Sequence, residues 1–180
     1  MTNLSTIAER LFERYRYPAW LRAHSQLVGR IGELLVESRV RAGDRLDADA
    51  VRLAAHLHDI GRSPLLAGDP REHNELSALV LAAEGLAACV EPARRHAIYT
   101  VLDPVTAPRT IEDRIVYVAD RRGGMTVLSL EERARETAAR HPRFAAEIER
   151  AIPLARALER EVFAGLPFGP DELAARIARG

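Results

Sequence analysis

Between residues 20 and 40 the chain reads "WLRAHSQLVGRIGELLVESRV". Leu21, Leu27, Val28, Ile31, Leu34 and Leu35 fall on one face, with Arg22, Arg30, Glu33 and Glu37 mostly off it. That is the 3.6-residue period of an amphipathic helix. Almost every later segment repeats it, and this repetition is the strongest constraint on the fold. Helices with one apolar stripe hide it most readily against one another. "MTVLSL" (125–130) is too short to build a sheet, so the expected fold is an all-α bundle.

Turn chemistry divides the bundle. Asp47 is placed to cap "ADAVRLAAHLHDIG", and Gly61 and Pro64 to end it. Gly85 stops "HNELSALVLAAEG". "EPARRHAIYTVL" predicts a short helix with Pro92 in its first turn, and Thr110 opens the helix that Gly123 and Gly124 close. Pro153 is expected to kink or restart the helix that follows "ARHPRF", and "GPDELAARIARG" forms a short terminal one.

Composition narrows the function classes. A net charge of zero over 180 residues gives no basic excess for a nucleic acid polymer. The longest apolar run is broken by Glu84 and Gly85, which argues against a membrane span. The first residues carry charge and no apolar leader, so the expectation is a cytoplasmic protein. All 26 basic residues are Arg, so a single Arg is weak evidence of a site. The lone Cys89, in "LAACV", reads as a small core residue.

The informative residues are ionisable groups on apolar stripes. His24 has Leu21, Leu27, Val28 and Ile31 around it at helical spacing. His58 has Val51, Ala54 and Ala55; His73 has Leu76 and Val80; Asp120 has Val116 and Tyr117. His96, beside Ala93 and Tyr99, is a weaker case. Asp59 adjoins His58 and can reach the same point. Any one of these taken alone reads as a hydrogen-bonded core residue. His56 points away from His58 and keeps that reading, and His141 is expected at the surface. Together, four inward imidazoles and two carboxylates must satisfy one another or bind something, because a buried unpaired carboxylate costs several kcal/mol or more. Divalent cations take these ligands ordinarily.

The order His24, then "HDIG" (His58, Asp59, Ile60, Gly61), then Asp120 in "VAD", resembles the HD-domain superfamily of metal-dependent phosphohydrolases. The resemblance covers about residues 20–125. His73 in "EHNELSAL" and His96 in "RRHAIY" are similar to the extra ligands of its binuclear branch, and "EDRIVYVADRRGGMTVLSLEERARETAARHPRF" is similar to one group of bacterial members. The resemblance implies a single HD-type helical domain over 1–180. The helices over about 129–180 lie outside its core; "FAAEIERAIPLARALEREVF" is amphipathic, so the first expectation is that it packs on its own domain, the alternatives being that it covers the site or pairs two subunits as a homodimer.

It also implies a site. Asp59 would bridge two divalent transition-metal ions (Fe, Mn, Co or Ni). One ion would take His24, His58 and Asp120, the other His73 and His96. A metal-activated hydroxide would cleave a phosphoester of a small phosphorylated molecule, a nucleotide being the first expectation. Arg62, which stands where many relatives carry Lys, would bind phosphate with Arg121 and Arg122; Arg94 and Arg95 are weaker candidates. No general acid stands out, although Glu72 and Asp69 lie near His73. Two other readings stay open: a di-iron oxygenase on the same ligand set, and a non-catalytic nucleotide-binding module.

Overall fold

A computed structural model describes residues 4–179. It is an all-α protein, with α1 (Leu4–Arg14), α2 (Ala19–Arg41), α3 (Ala48–Leu57), α4 (His73–Ala83), α5 (Val90–Arg94), α6 (Ile111–Arg122), α7 (Leu130–Arg140), α8 (Ala145–Phe163) and α9 (Leu173–Ile177). No strand forms among the described residues; "MTVLSL" contributes only a single antiparallel bridge between Gly123 and Val127.

α6 is the axis of the bundle. Every residue from 115 to 124 is buried, and α2, α3, α5 and α8 pack around it. Its apolar part, Ile115–Ala119, fills the core with Leu11, Phe12, Val28, Ile31, Leu35, Val51 and Leu57. Its polar end, Asp120–Arg122, is buried as well, which is the first sign of a site. Thr110 starts α6 with a reciprocal capping box to Asp113, as expected of that residue at a helix start. Asp47 caps α3 by accepting the Ala50 N–H. α2 and α3 approach closely because Gly29 and Gly32 of α2 face α3. A Cβ at Gly29 would lie 2.2 Å from the His56 ring, which is why this half-buried imidazole packs there, its Nδ1–H donating to the Arg52 carbonyl.

Three boundaries differ from expectation. α3 ends at Leu57, with His58 as its C-cap, and Gly61 sits inside a 3-10 turn, Ile60–Arg62. Gly61 is needed for closeness rather than for ending a helix: a Cβ there would meet the His73 carbonyl at 2.0 Å. "EPARRHAIYTVL" is split, with α5 ending at Arg94 and a 3-10 turn resuming at Ile98. α8 runs through Pro153 without restarting. Among the described residues, no helix is long and apolar enough to cross a membrane.

Candidate metal centre

Four helices and one break in the chain deliver six side chains to one point. α2 supplies His24. The C-terminal end of α3 supplies His58 and, as the chain leaves the helix, Asp59. α4 begins at His73, the break after α5 presents His96, and the last turn of α6 carries Asp120. His58 is fully enclosed, the others are almost so, and His73 alone is half-buried.

The distances fall into two sets that share Asp59. His24 Nε2 lies 3.2 Å from His58 Nε2, 3.3 Å from Asp120 Oδ1 and 3.6 Å from Asp59 Oδ2. His58 Nε2 lies 3.7 Å from both carboxylates. On the other side, Asp59 Oδ1 is 3.2 Å from His96 Nε2 and 3.5 Å from His73 Nε2, and those two nitrogens are 3.2 Å apart. One carboxylate thus turns one oxygen to each set. Ligand atoms held about 2.1 Å from a shared ion are separated by roughly 2.9–3.4 Å, so both sets are near coordinating geometry.

The hydrogen bonding shows that a cation fits. His58 Nδ1–H donates to the Ala55 carbonyl (2.8 Å) and His96 Nδ1–H to the Ala93 carbonyl (2.5 Å). His24 Nδ1 lies 3.4 Å from the Gly124 carbonyl. A ring that is neutral and donates through Nδ1 has only a lone pair at Nε2. The Nε2 atoms therefore face one another and two carboxylates, lone pair to lone pair. Asp59 Oδ1 is buried, and Arg62 Nε, 2.8 Å away, forms an ion pair with it but no bond of hydrogen-bond geometry. A lone-pair cluster of this kind is stable only around positive charge.

The electrostatics agree. Burial pushes the His58 imidazole down to about 3, against the pull of both carboxylates, so it is neutral, the ligand form. Burial and then Arg62 hold His73 well below its usual range. Burial alone would raise Asp59, but the Arg62 guanidinium beside it holds it well below the carboxylate range. Arg121 holds Asp120 down in the same way.

The six metal-ligand candidates therefore converge, and His24, His58 and Asp120 close as one group while His58, Asp59 and His96 close as another. The arginines divide. Arg62 and Arg121 line a cavity of about 260 Å³ that opens onto the cluster. Arg62 Nε lies 2.8 Å from Asp59 Oδ1, and Arg121 pairs with Asp120 Oδ2 while its guanidinium lies over the Tyr117 ring. Arg122 does not reach the cavity. It is buried the other way, on Glu159 (2.7 Å) and the Leu128 carbonyl, so its expected role in substrate binding is replaced by a structural one. Arg94 pairs with Glu75 and Glu91, and Arg95 with Glu91 and the Val105 and Ala107 carbonyls, both away from the cavity. Glu72 lines the cavity; Asp69 is tied to Arg71 on the surface.

Sequence reasoning missed the cavity's far wall. Arg133, Glu136, Thr137 and Arg140 of α7 line it, followed by His141, Arg143, Phe144 and Ile148, with Trp20, Tyr99 and Met125 at other points. His141 is half-buried in this wall rather than a surface residue. Arg133 is buried and reaches Asp120, its Nε–H donating to the carbonyl at 3.4 Å and its Nη2 to Oδ1 at 3.5 Å, while Nη1 holds Glu136 at 2.8 Å. A signal was present: positions 133, 136, 137 and 140 form one stripe at i, i+3, i+4 and i+7. A polar stripe ordinarily faces water, and nothing local says that this one faces a cavity.

Residues 21–125 match the model of the HD domain family. No curated protein and no solved structure matches the chain. The matched span holds all six converging side chains, and the α7 wall lies outside it.

Proposed function

The chain belongs to the HD domain family, and from that premise we propose that it is a metal-dependent phosphohydrolase that cleaves a phosphoester of a small phosphorylated molecule, a nucleotide being the favoured class. The observation that carries this reading is the division of Asp59, one oxygen toward His24 and His58 and the other toward His73 and His96. His24, His58, Asp59 and Asp120 would hold one divalent ion, and Asp59, His73 and His96 a second. Such ions, when bound, supply charge neutralisation and an activated water at neutral pH.

The chain's own residues do the rest. Buried carbonyls fix the His58 and His96 rings, so their Nε2 atoms need no reorganisation. Arg62 and Arg121 stand beside the carboxylates, where guanidinium forks can take phosphoryl oxygens and oppose the charge that builds on them. The buried Arg133 orients Asp120. Tyr99, Phe144, Ile148, Trp20 and Met125 add an apolar wall, which suits an organic group with a flat or greasy face. A cavity of about 260 Å³ is the scale of part or all of one small metabolite.

The test is hydrolysis of a phosphoester panel, nucleotides included, by protein loaded with verified Mn or Fe. Release of phosphate that is lost on chelation and restored by metal supports the proposal. No release across the panel overturns it; iron with oxygen consumption would then favour the oxygenase reading, and tight nucleotide binding without turnover the binding-module reading.

A further inference from the structure

A neutral imidazole nitrogen has a single lone pair. His73 Nε2 has already committed its own, because Arg62 Nη2 donates to it at 2.9 Å. The same guanidinium places Nε 2.8 Å from Asp59 Oδ1. These are two of the three atoms that face one another on the outer side of the cluster; the third, His96 Nε2, lies 3.2 Å from each of them. An ion bound to His73 needs the lone pair that Arg62 holds.

We infer that Arg62 is a displaceable internal cation: its guanidinium and an ion on the His73 side of the cluster exclude one another, so loading that ion releases the guanidinium into the cavity, where it takes the substrate's anionic group. The identity of that group rests on the phosphohydrolase reading; the exclusion does not.

The other side of the cluster behaves differently. Arg121 pairs with Asp120 Oδ2, while Oδ1 is the oxygen turned toward His24 and His58. The lone pairs of His24 and His58 that face Oδ1 receive no arginine. Oδ1 also takes Arg133 Nη2, but only at 3.5 Å, so an ion among His24, His58 and Asp120 meets this one long contact and no arginine on a histidine lone pair. The Arg62 side chain is one-third exposed and lines the cavity, so it has room to move once displaced. Loading is then sequential. The first ion enters a set whose histidine lone pairs no arginine holds, and the second competes with Arg62 for one. An anion that captures Arg62 favours the second ion, and by linkage the second ion favours the anion.

The test uses the whole chain, freed of metal and titrated with Zn2+. In nitrogen-15 spectra the Arg62 Nε–H resonance, identified by its loss in Arg62→Gln, should hold still through the first equivalent and move with the second. By calorimetry, Arg62→Gln should bind the second equivalent at least about tenfold tighter, the strength of a charge-assisted hydrogen bond to the competing donor. Inorganic phosphate should tighten the second equivalent by a larger factor in the unaltered chain than in the variant. An Arg62 resonance unmoved at saturation, or a second equivalent bound equally or more weakly by the variant, overturns the exclusion and leaves the phosphohydrolase reading standing. Failure of the unaltered chain to bind any ion overturns both. The resonance measurement needs no stable variant beyond the assignment.

Discussion

Gly61→Ala is the sharpest probe of how the site is held. The 3-10 turn carrying Gly61 docks on the first turn of α4, where the Gly61 N–H donates to Ser77 Oγ (2.9 Å) and Ser77 Oγ–H donates to the His73 carbonyl (2.9 Å). A Cβ on residue 61 would stand 2.0 Å from that carbonyl, 2.7 Å from the Ser77 nitrogen and 2.9 Å from Leu76 Cβ. Two of these are backbone atoms, which cannot rotate away. Restoring a C···O contact of about 3.3 Å requires α4 to retreat by about 1.3 Å. Metal–ligand distances tolerate about 0.2 Å, so His73 would be carried out of reach of the second ion. Against this, Ala stiffens the unfolded chain and favours folding by about 0.4–1 kcal/mol. Overpacking costs about 1–3 kcal/mol, and the upper end applies when the obstacle is backbone. The steric term wins, with a net loss of about 2–2.6 kcal/mol. At roughly 2–4 °C per kcal/mol for a chain of this size, melting should fall by several degrees. The assay is metal stoichiometry with a melting curve. The expected variant retains the ion at His24, His58 and Asp120 and binds the second at least about tenfold more weakly. Gly169→Ala is the control, since a Cβ there meets nothing within 4 Å and φ is −96°. A Gly61→Ala protein with unchanged melting and two ions at unchanged affinity would refute the close approach on which this reasoning stands.

The remaining predictions test the cluster and its arginines. Asp59→Asn removes the carboxylate charge that serves both sets, so both ions should weaken and metal-dependent hydrolysis should fall at least about a hundredfold, read by metal analysis and phosphate release. Arg122→Met strands Glu159, whose side chain is largely buried, and should cost about 3–5 kcal/mol by urea unfolding with little change in KM; Arg121→Met should raise KM instead. Acid sensitivity has a defined sign. Burial holds His58 to about 3 in the fold, against 6.5 in the free side chain. Between those values the unfolded chain takes the proton and the fold does not, so His58 stabilises the fold fully above about pH 6.5 and this is lost as pH falls toward 3. The slope is at most about 1.4 kcal/mol per pH unit. Asp59 and Asp120, shifted downward, contribute only above their unfolded value of 3.8 and lose that contribution as pH falls through their depressed folded values. Urea midpoints of the metal-free protein between pH 4 and 7 should show the His58 slope, and His58→Gln should flatten it.

Much of the site was legible because its residues break a local rule. His24, His58, His73 and Asp120 sit on stripes that the 3.6-residue period marks as buried, and burial of so many ionisable groups demands a shared partner. His96 was harder to read, because the chain breaks after Arg94 and no helix period applies there. The arginines were least legible. Arg121 and Arg122 are neighbours in "ADRRGG", yet one faces the cavity and the other Glu159 of α8. Adjacent residues on a helix point about 100° apart, and which direction meets the cavity depends on where α8 packs. Arg133 presents the same difficulty in reverse: a residue of an ordinary polar stripe is buried because α7 lies over the cluster.

The sequence by itself determined the helical class, the caps at Asp47 and Thr110, and the inward turn of His24, His58, His73 and Asp120, because periodicity and capping are local properties of a chain. The tertiary structure alone decided that Asp59 shares its two oxygens between two sets, that Gly61 is there for closeness to α4, and that α7 supplies the cavity's far wall. Those depend on distances between segments remote in the chain, and such distances are set by how the helices pack, which no single stretch of residues encodes.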